Sequence, residues 1–208
     1  MFITFEGIDF CGKTTQVIKL NEWLVKRGKK VKILREPGGT EISEKIRTIL
    51  LDKQNSNMYM ETELLLFYSA RAQLVREYIR PLLNDGIYVI SDRFHDSSYA
   101  YQGFGRGINV EFIKKLSEFT IGETLPEVTF YIDISVEEAD RRKLSQQLDL
   151  DRIEVTQSNF YNRVVEGYRK LASEEKRVTM IDGTMSIDAI HKIITDTIIE
   201  RESNYEKK

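Results

Sequence analysis

Gly7-Ile8-Asp9-Phe10-Cys11-Gly12-Lys13-Thr14 is the segment of this 208-residue chain whose chemistry is most specific. It fits G-x-x-x-x-G-K-[ST], a pattern in which glycines let successive backbone N–H groups turn inward around phosphate oxygens. The helix expected to follow adds positive potential at its N-terminus, and Lys13 supplies a mobile point charge. The Thr14 hydroxyl is suited to Mg²⁺. A chance match in a chain of this size is roughly a 1% event at average residue frequencies. Gly7 to Thr14 are therefore expected to cradle a nucleoside triphosphate, with Cys11 a small filler at a free position. Two more clusters could act on phosphate. Arg35 and Arg93 can each aim a planar guanidinium fork at an anion, and Asp92 ends an apolar run as a metal-orienting acid does. A surface ion pair for each arginine and a helix cap for Asp92 are the competing readings.

Residues this far apart in sequence act together only if the fold gathers them. Short apolar runs at Phe2 to Phe5, Val31 to Leu34, Ile87 to Ile90, Val128 to Ile132 and Val178 to Ile181 alternate with stretches of helical spacing. Helices are expected near 13–27, 41–51, 61–82, 109–119, 135–145, 156–175 and 186–202. The alternation predicts an α/β fold with a parallel sheet flanked by helices on both faces. Ligands of such sheets lie outside the carboxyl ends of the strands. Glu6, Arg35-Glu36, Asp92-Arg93, Asp133 and Asp182 follow the five runs, so a polar site is expected along that edge. No repeat or long linker interrupts the pattern; residues 1–208 are expected to form one domain, with the polar tail Glu202 to Lys208 frayed.

Taken in order with the cradle, Arg35-Glu36-Pro37-Gly38-Gly39-Thr40, Phe67-Tyr68-Ser69-Ala70-Arg71, Asp92-Arg93-Phe94, Tyr99-Ala100-Tyr101-Gln102-Gly103 and Asp151-Arg152-Ile153-Glu154 resemble the thymidylate kinases. The resemblance runs nearly end to end. It implies a three-layer P-loop NTPase fold with a five-stranded parallel sheet. It also implies a homodimer that moves the γ-phosphoryl group of ATP, with Mg²⁺, onto dTMP to give dTDP. By resemblance, Asp9 accepts a hydrogen bond from the 3′-hydroxyl of the acceptor, while Arg35 and Arg93 face its phosphate. Phe67 stacks on thymine and Arg71 donates to a base carbonyl; the two residues are four apart and share a helix face, where a core phenylalanine and a snorkelling arginine are an equal reading. Ser98, Tyr99 and Gln102 line sugar and base, with Tyr99 beside C2′, and Pro37 lies near the thymine methyl. Asp182-Gly183 lie against adenine, and Thr14 with Asp92 holds the metal.

Arg141-Arg142-Lys143 opens a polar segment, about 141–154, placed where a lid could bring cations over the phosphates. Some thymidylate kinases carry a basic residue just after the cradle acid; this chain has Phe10 there and so resembles the bacterial class whose lid supplies the arginine. Arg142 is the first candidate for that catalytic cation and Arg152 the second, because Ser145-Gln146-Gln147 stand where further basic residues are common. A solvated helix end with charge pairs competes with this reading.

Composition sets the remaining bounds. Lys and Arg total 31 against 33 Asp and Glu, giving a net charge of -2 and no broad positive field for nucleic acid. A lone cysteine and two histidines argue against disulfides and structural zinc, and a reducing cytoplasm fits. No basic leader or long apolar run points to secretion or a membrane. The alternatives are another P-loop kinase, for a different nucleotide or a deoxynucleoside, and a non-catalytic nucleotide-binding regulatory module. A nucleoside acceptor would leave Arg35 and Arg93 surplus, and a GTP-reading switch lacks its Asn-Lys-x-Asp segment.

Overall fold

All five apolar runs form strands, and each continues to include the charged residue at its end: β1 Phe2–Glu6, β2 Val31–Arg35, β3 Tyr88–Asp92, β4 Val128–Asp133 and β5 Val178–Asp182. The computed structural model describes residues 1–144, 151–153 and 158–205. The strands make one all-parallel sheet in the order β2-β3-β1-β4-β5. The fold is the expected three-layer α/β arrangement. With β1 central, the chain fills β2 and β3 on one side of it and then crosses to β4 and β5 on the other, and the loops after β1, β2 and β3 become neighbours at the carboxyl edge. Alternation along each strand separates the two faces. Phe2, Leu34 and Val89 pack with Leu74, Val75, Ile79 and Ile121. Ile3, Phe5 and Ile90 join a larger cluster with Leu20, Leu24, Ile194 and Ile198.

Those partners lie on α1 Lys13–Lys26, α3 Met60–Leu74 and the turn that continues it, α6 Val110–Ile121 and α9 Ile187–Tyr205; α2 Glu41–Leu51 lies beside α3. The expected helix over 61–82 is divided. After α3 a π-helical turn spans Val75–Ile79, and α4 Arg80–Asn84 follows. Pro81 lacks the N–H that would continue the ladder, so the preceding turn widens to i→i+5 bonding. A second π-helical segment, Tyr99–Gly105, follows the short α5 His95–Ser98. α7 Val136–Leu144 and α8 Ser158–Glu174 match expectation within the described residues. The lid core, including Ser145-Gln146-Gln147 and Glu154, lies outside them. The expected fraying at Glu202 is corrected: α9 runs to Tyr205, and Glu202 accepts hydrogen bonds from Tyr88 and Arg27 at 2.7 and 2.8 Å. Among the described residues, no helix is long and apolar enough to cross a membrane.

Candidate active site

The carboxyl ends of β1, β2 and β3 open onto a cavity of about 450 Å³, a volume suited to a nucleotide. One end is the Gly7–Thr14 loop. Gly7 sits at φ 138°, and a Cβ there would lie 2.6 Å from the Ile132 carbonyl oxygen and 2.8 Å from Cys11 Sγ, so only glycine permits the tight turn. α1 begins without a side-chain cap, unlike α2 and α6, where Thr40 and Asn109 accept from Ser43 and Phe112 N–H groups. Its first amides are thus left for an anion. Lys13 is buried and folds over the loop, donating to the carbonyls of Gly7 at 3.0 Å and Ile8 at 2.9 Å. The Thr14 hydroxyl donates to Asp92 Oδ2 at 3.1 Å, so the two expected metal ligands are together.

Arg93 occupies the middle of the cavity wall. Its guanidinium donates to the Gly7 carbonyl at 2.8 Å, Asp9 Oδ1 at 2.6 Å and the Tyr101 hydroxyl at 3.2 Å. Burial alone would raise the Asp9 carboxyl, but the Arg93 and Lys13 charges hold it below its usual range. Behind Arg93, the fully buried Glu6 accepts from Phe94 N, the Ser97 hydroxyl and the Tyr168 hydroxyl at 2.6 to 2.7 Å. Burial, then the nearby Asp96 charge, pushes Glu6 up to about 7 despite Arg93.

The far end of the cavity is built on α3 and the second π-helical segment. Phe67 and Arg71 both line it, as their spacing predicts. Arg71 is 1% exposed; it donates to Glu36 Oε2 at 2.7 Å, Ser98 Oγ at 2.9 Å and the Phe94 carbonyl at 3.2 Å. Desolvation opposes so buried a cation, but the Glu36 charge, the Tyr68 phenol and the hydrogen bond to Glu36 together outweigh it and raise the Arg71 pKa. Gln102 is also buried in this wall. Between the two ends, Pro37 lines the cavity, and the half-exposed Arg35 pairs with Glu44 at 3.1 Å.

Outside the cradle, five expected residues, Tyr99, Arg142, Arg152, Asp182 and Gly183, lie away from the cavity. Tyr99 turns toward Glu174 and packs 5.4 Å from Phe104, because the π-helical turn rotates it outward and puts Tyr101 on the inner wall. Arg152 is buried against the Leu50 carbonyl and Glu63, both at 2.7 Å. Arg142 donates to Gly183 O at 2.8 Å and to Phe10 O and Cys11 O at 3.3 and 3.4 Å, bridging the outer side of the cradle to the loop after β5. Asp182 caps that loop through Thr184. Of the charges following strands, those of β1, β2 and β3 converge; Asp133 instead pairs with Arg169 at 3.0 Å.

A family model described as thymidylate kinase matches residues 5–194. The chain belongs to the thymidylate kinase family. A thymidylate kinase from Thermoanaerobacter sp. (strain X514) is 48% identical over 198 residues, covering 95% of this chain and 96% of that protein. One from Prosthecochloris aestuarii is 45% identical across 100% of this chain and 97% of the relative. The crystal structure of thymidylate kinase from Ehrlichia chaffeensis superposes with a TM-score of 0.77 at 33% identity, covering 95% of this chain and 97% of that one. As a thymidylate kinase, this protein passes a phosphoryl group from ATP to dTMP, giving dTDP.

Sequence reasoning assigned no role to Arg47, Ser97 or Tyr101, which also line the thymidylate kinase cavity. Arg47 had a signal: it falls four residues after Ser43 and three before Leu50, the buried face of α2, so it is a cation on an inward stripe as Arg71 is. It donates to the Pro37 carbonyl at 2.7 Å, and burial followed by Arg35's like charge lowers its pKa. Tyr101 had none, because a regular helix does not predict which of Tyr99 and Tyr101 faces inward from a π-helical turn.

Proposed function

We propose that ATP lies with its phosphates in the Gly7–Thr14 cradle and that dTMP fills the rest of the cavity, its phosphate toward Arg93 and its base toward Phe67, Arg71 and Gln102. The carrying observation is Arg93 itself: it touches the cradle at Gly7 and lines the same cavity as the base-side residues. A dTMP phosphate oxygen attacks the γ-phosphorus in line as the bond to the β–γ bridging oxygen breaks, its electron pair leaving with ADP. Lys13 and Arg93 leave their present carbonyl and carboxylate partners for phosphate oxygens, so the cations are positioned before the reaction and little reorganisation follows. Asp9 takes the 3′-hydroxyl, Arg35 and Arg47 reinforce the acceptor phosphate, Ser98 and Pro37 border the base, and Tyr101, in place of Tyr99, crowds the C2′ side.

Thr14 and Asp92, whose side-chain oxygens lie 3.1 Å apart, would hold Mg²⁺, an ion that is usually bound through only one or two protein carboxylates besides substrate phosphate. When bound, the ion offsets charge developing on the β- and γ-phosphate oxygens. Arg142 is assigned to the donor end with Gly183 and Asp182, and Arg152 to holding residues 151–153 against α2 and α3. A single domain with a lid over about 141–154, a homodimer and a cytoplasmic setting complete the reading; the sole cysteine is buried, as suits a reducing compartment. ADP release should be measured across dTMP, dUMP, dCMP and UMP, with and without a chelator. Turnover is expected to be greatest with dTMP, much poorer with the others and abolished by chelation. Equal turnover of dTMP and UMP would reject the sugar assignment, and chelator-resistant turnover would reject the metal pair.

A further inference from the structure

Glu63, on α3, is 1% exposed and has no part in the chemistry above, yet both its oxygens are occupied. Oε1 accepts from Gln102 Nε2 at 3.0 Å and Arg106 Nε at 3.1 Å. Oε2 accepts from Arg106 at 3.0 Å and Arg152 at 2.7 Å. Burial alone would raise this carboxyl, but the bonds and charge of Arg106, with the bonds of Gln102 and Arg152, hold it below the usual range. Glu63 is therefore an ionised, acceptor-only group. A side-chain amide beside such a group has one allowed orientation, with its NH₂ toward the carboxylate. The carbonyl oxygen of Gln102 is then the atom of that planar group left for the cavity that Gln102 lines.

We propose that Glu63 is a positioning residue that locks the Gln102 amide with its carbonyl oxygen toward the base, so that the site selects pyrimidines carrying a hydrogen on N3. Thymine presents an N3–H donor beside a 4-oxo acceptor, which matches the Gln102 oxygen and the Arg71 donors. Cytosine presents an N3 acceptor beside a 4-amino donor and meets the wrong partner at both positions. A buried polar mismatch discriminates far more strongly than contact with the thymine methyl does. The same carboxylate holds Arg152, so the orientation of the base reader is tied to residues 151–153. The inference rests on the base lying beside Gln102.

The test is the ratio of kcat/KM for dTMP to that for dCMP in Glu63→Gln, Glu63→Asp and Gln102→Ala, and in Glu63→Gln combined with Gln102→Ala. Glu63→Gln lets the Gln102 amide turn over, and Glu63→Asp keeps the charge for the two arginines but withdraws it by one methylene. Each is expected to lower the ratio at least 10-fold, chiefly through KM for dTMP, with KM for ATP within about twofold of the parent. In the Gln102→Ala background, Glu63→Gln should leave the ratio unchanged, because its effect passes through that amide. Parallel losses with both substrates and an unchanged ratio would overturn the proposal, and so would failure of both Glu63 variants to fold. If Gln102→Ala itself leaves the ratio intact, the base does not lie beside Gln102, and it is the orientation of dTMP that falls.

Discussion

Arg93 carries a side chain at φ 69°, a left-handed conformation that costs a non-glycine residue of order 1 kcal/mol and clusters at functional sites. The surroundings enforce it: Arg93 N–H donates to the Phe5 carbonyl at 2.9 Å, and Glu6 holds the next amide. Arg93→Ala is expected to lower kcat more than 10-fold in a coupled ADP-release assay, the loss expected of a preorganised cation. Two buried groups nearby make stability depend on pH with opposite signs. Burial, reinforced by Arg177 and Arg71 against the pull of Asp96, pushes His95 down to about 4. The unfolded chain therefore takes up that proton first as pH falls, and stability is lost from about 6.5 down to about 4, by at most roughly 3 kcal/mol. Glu6, up at about 7, holds its proton in the folded state, so its contribution is present below about 4.5 and lost as pH rises through 7. Glu6→Gln should expose the rising slope of His95 between pH 4 and 6.5, and His95→Asn the falling slope of Glu6 between 4.5 and 7. Denaturant unfolding across that range measures both, and identical slopes in the two variants would contradict the assignments.

At the scale of elements, the segment Tyr99–Gly105 does the most to shape the acceptor end. Its wide turns swing Tyr101 and Gln102 onto the cavity wall and lay Gly105 against α8. A Cβ on Gly105 would lie 2.5 Å from a ring carbon of Phe160 and 3.0 Å from Val164, and both side chains are buried and unable to give way. Gly105→Ala is expected to cost about 1–3 kcal/mol through overpacking. For a chain of this length that corresponds to roughly 2–12 °C in Tm. Because the same turn carries two cavity residues, KM for dTMP should rise as well. A scanning-calorimetry midpoint unchanged from the parent would show that α8 can retreat.

Across the whole molecule, three neighbouring helices leave large apolar side chains in solvent: Ile42 and Ile49 on α2, Leu65 on α3, and Phe112 and Phe119 on α6. Phe112 and Phe119 are two turns apart and share one face, and Phe119 is 79% exposed. Apolar surface concentrated in this way marks an interaction site, and a second copy of the chain is the proposed occupant. Light scattering is expected to give twice the chain mass of 24.3 kDa, and Phe112→Glu with Phe119→Glu to give the monomer. A monomeric parent at micromolar concentration would remove the dimer from the proposal.

The cradle, the five strands and the charges that follow them were legible in the amino-acid order, because these depend on local rules. That order alone led to five converging charges, whereas those of β1, β2 and β3 converge and Asp133 pairs with Arg169. Glycine spacing, apolar alternation and strand ends are legible within a few residues of chain. The amino-acid order also put Phe67 and Arg71 on one face, since a regular helix has a fixed period. Packing alone reveals which tyrosine lines the cavity, where Arg142 and Arg152 place their charge, and that Glu63 and Glu202 have tasks at all. Tyr99 and Tyr101 are separated by the widening of a helical turn, and Arg152 is claimed by a carboxylate 89 positions earlier in the chain. Partner choice among buried charges follows from which groups leave water together, and that is a property of the packed molecule rather than of any segment within it.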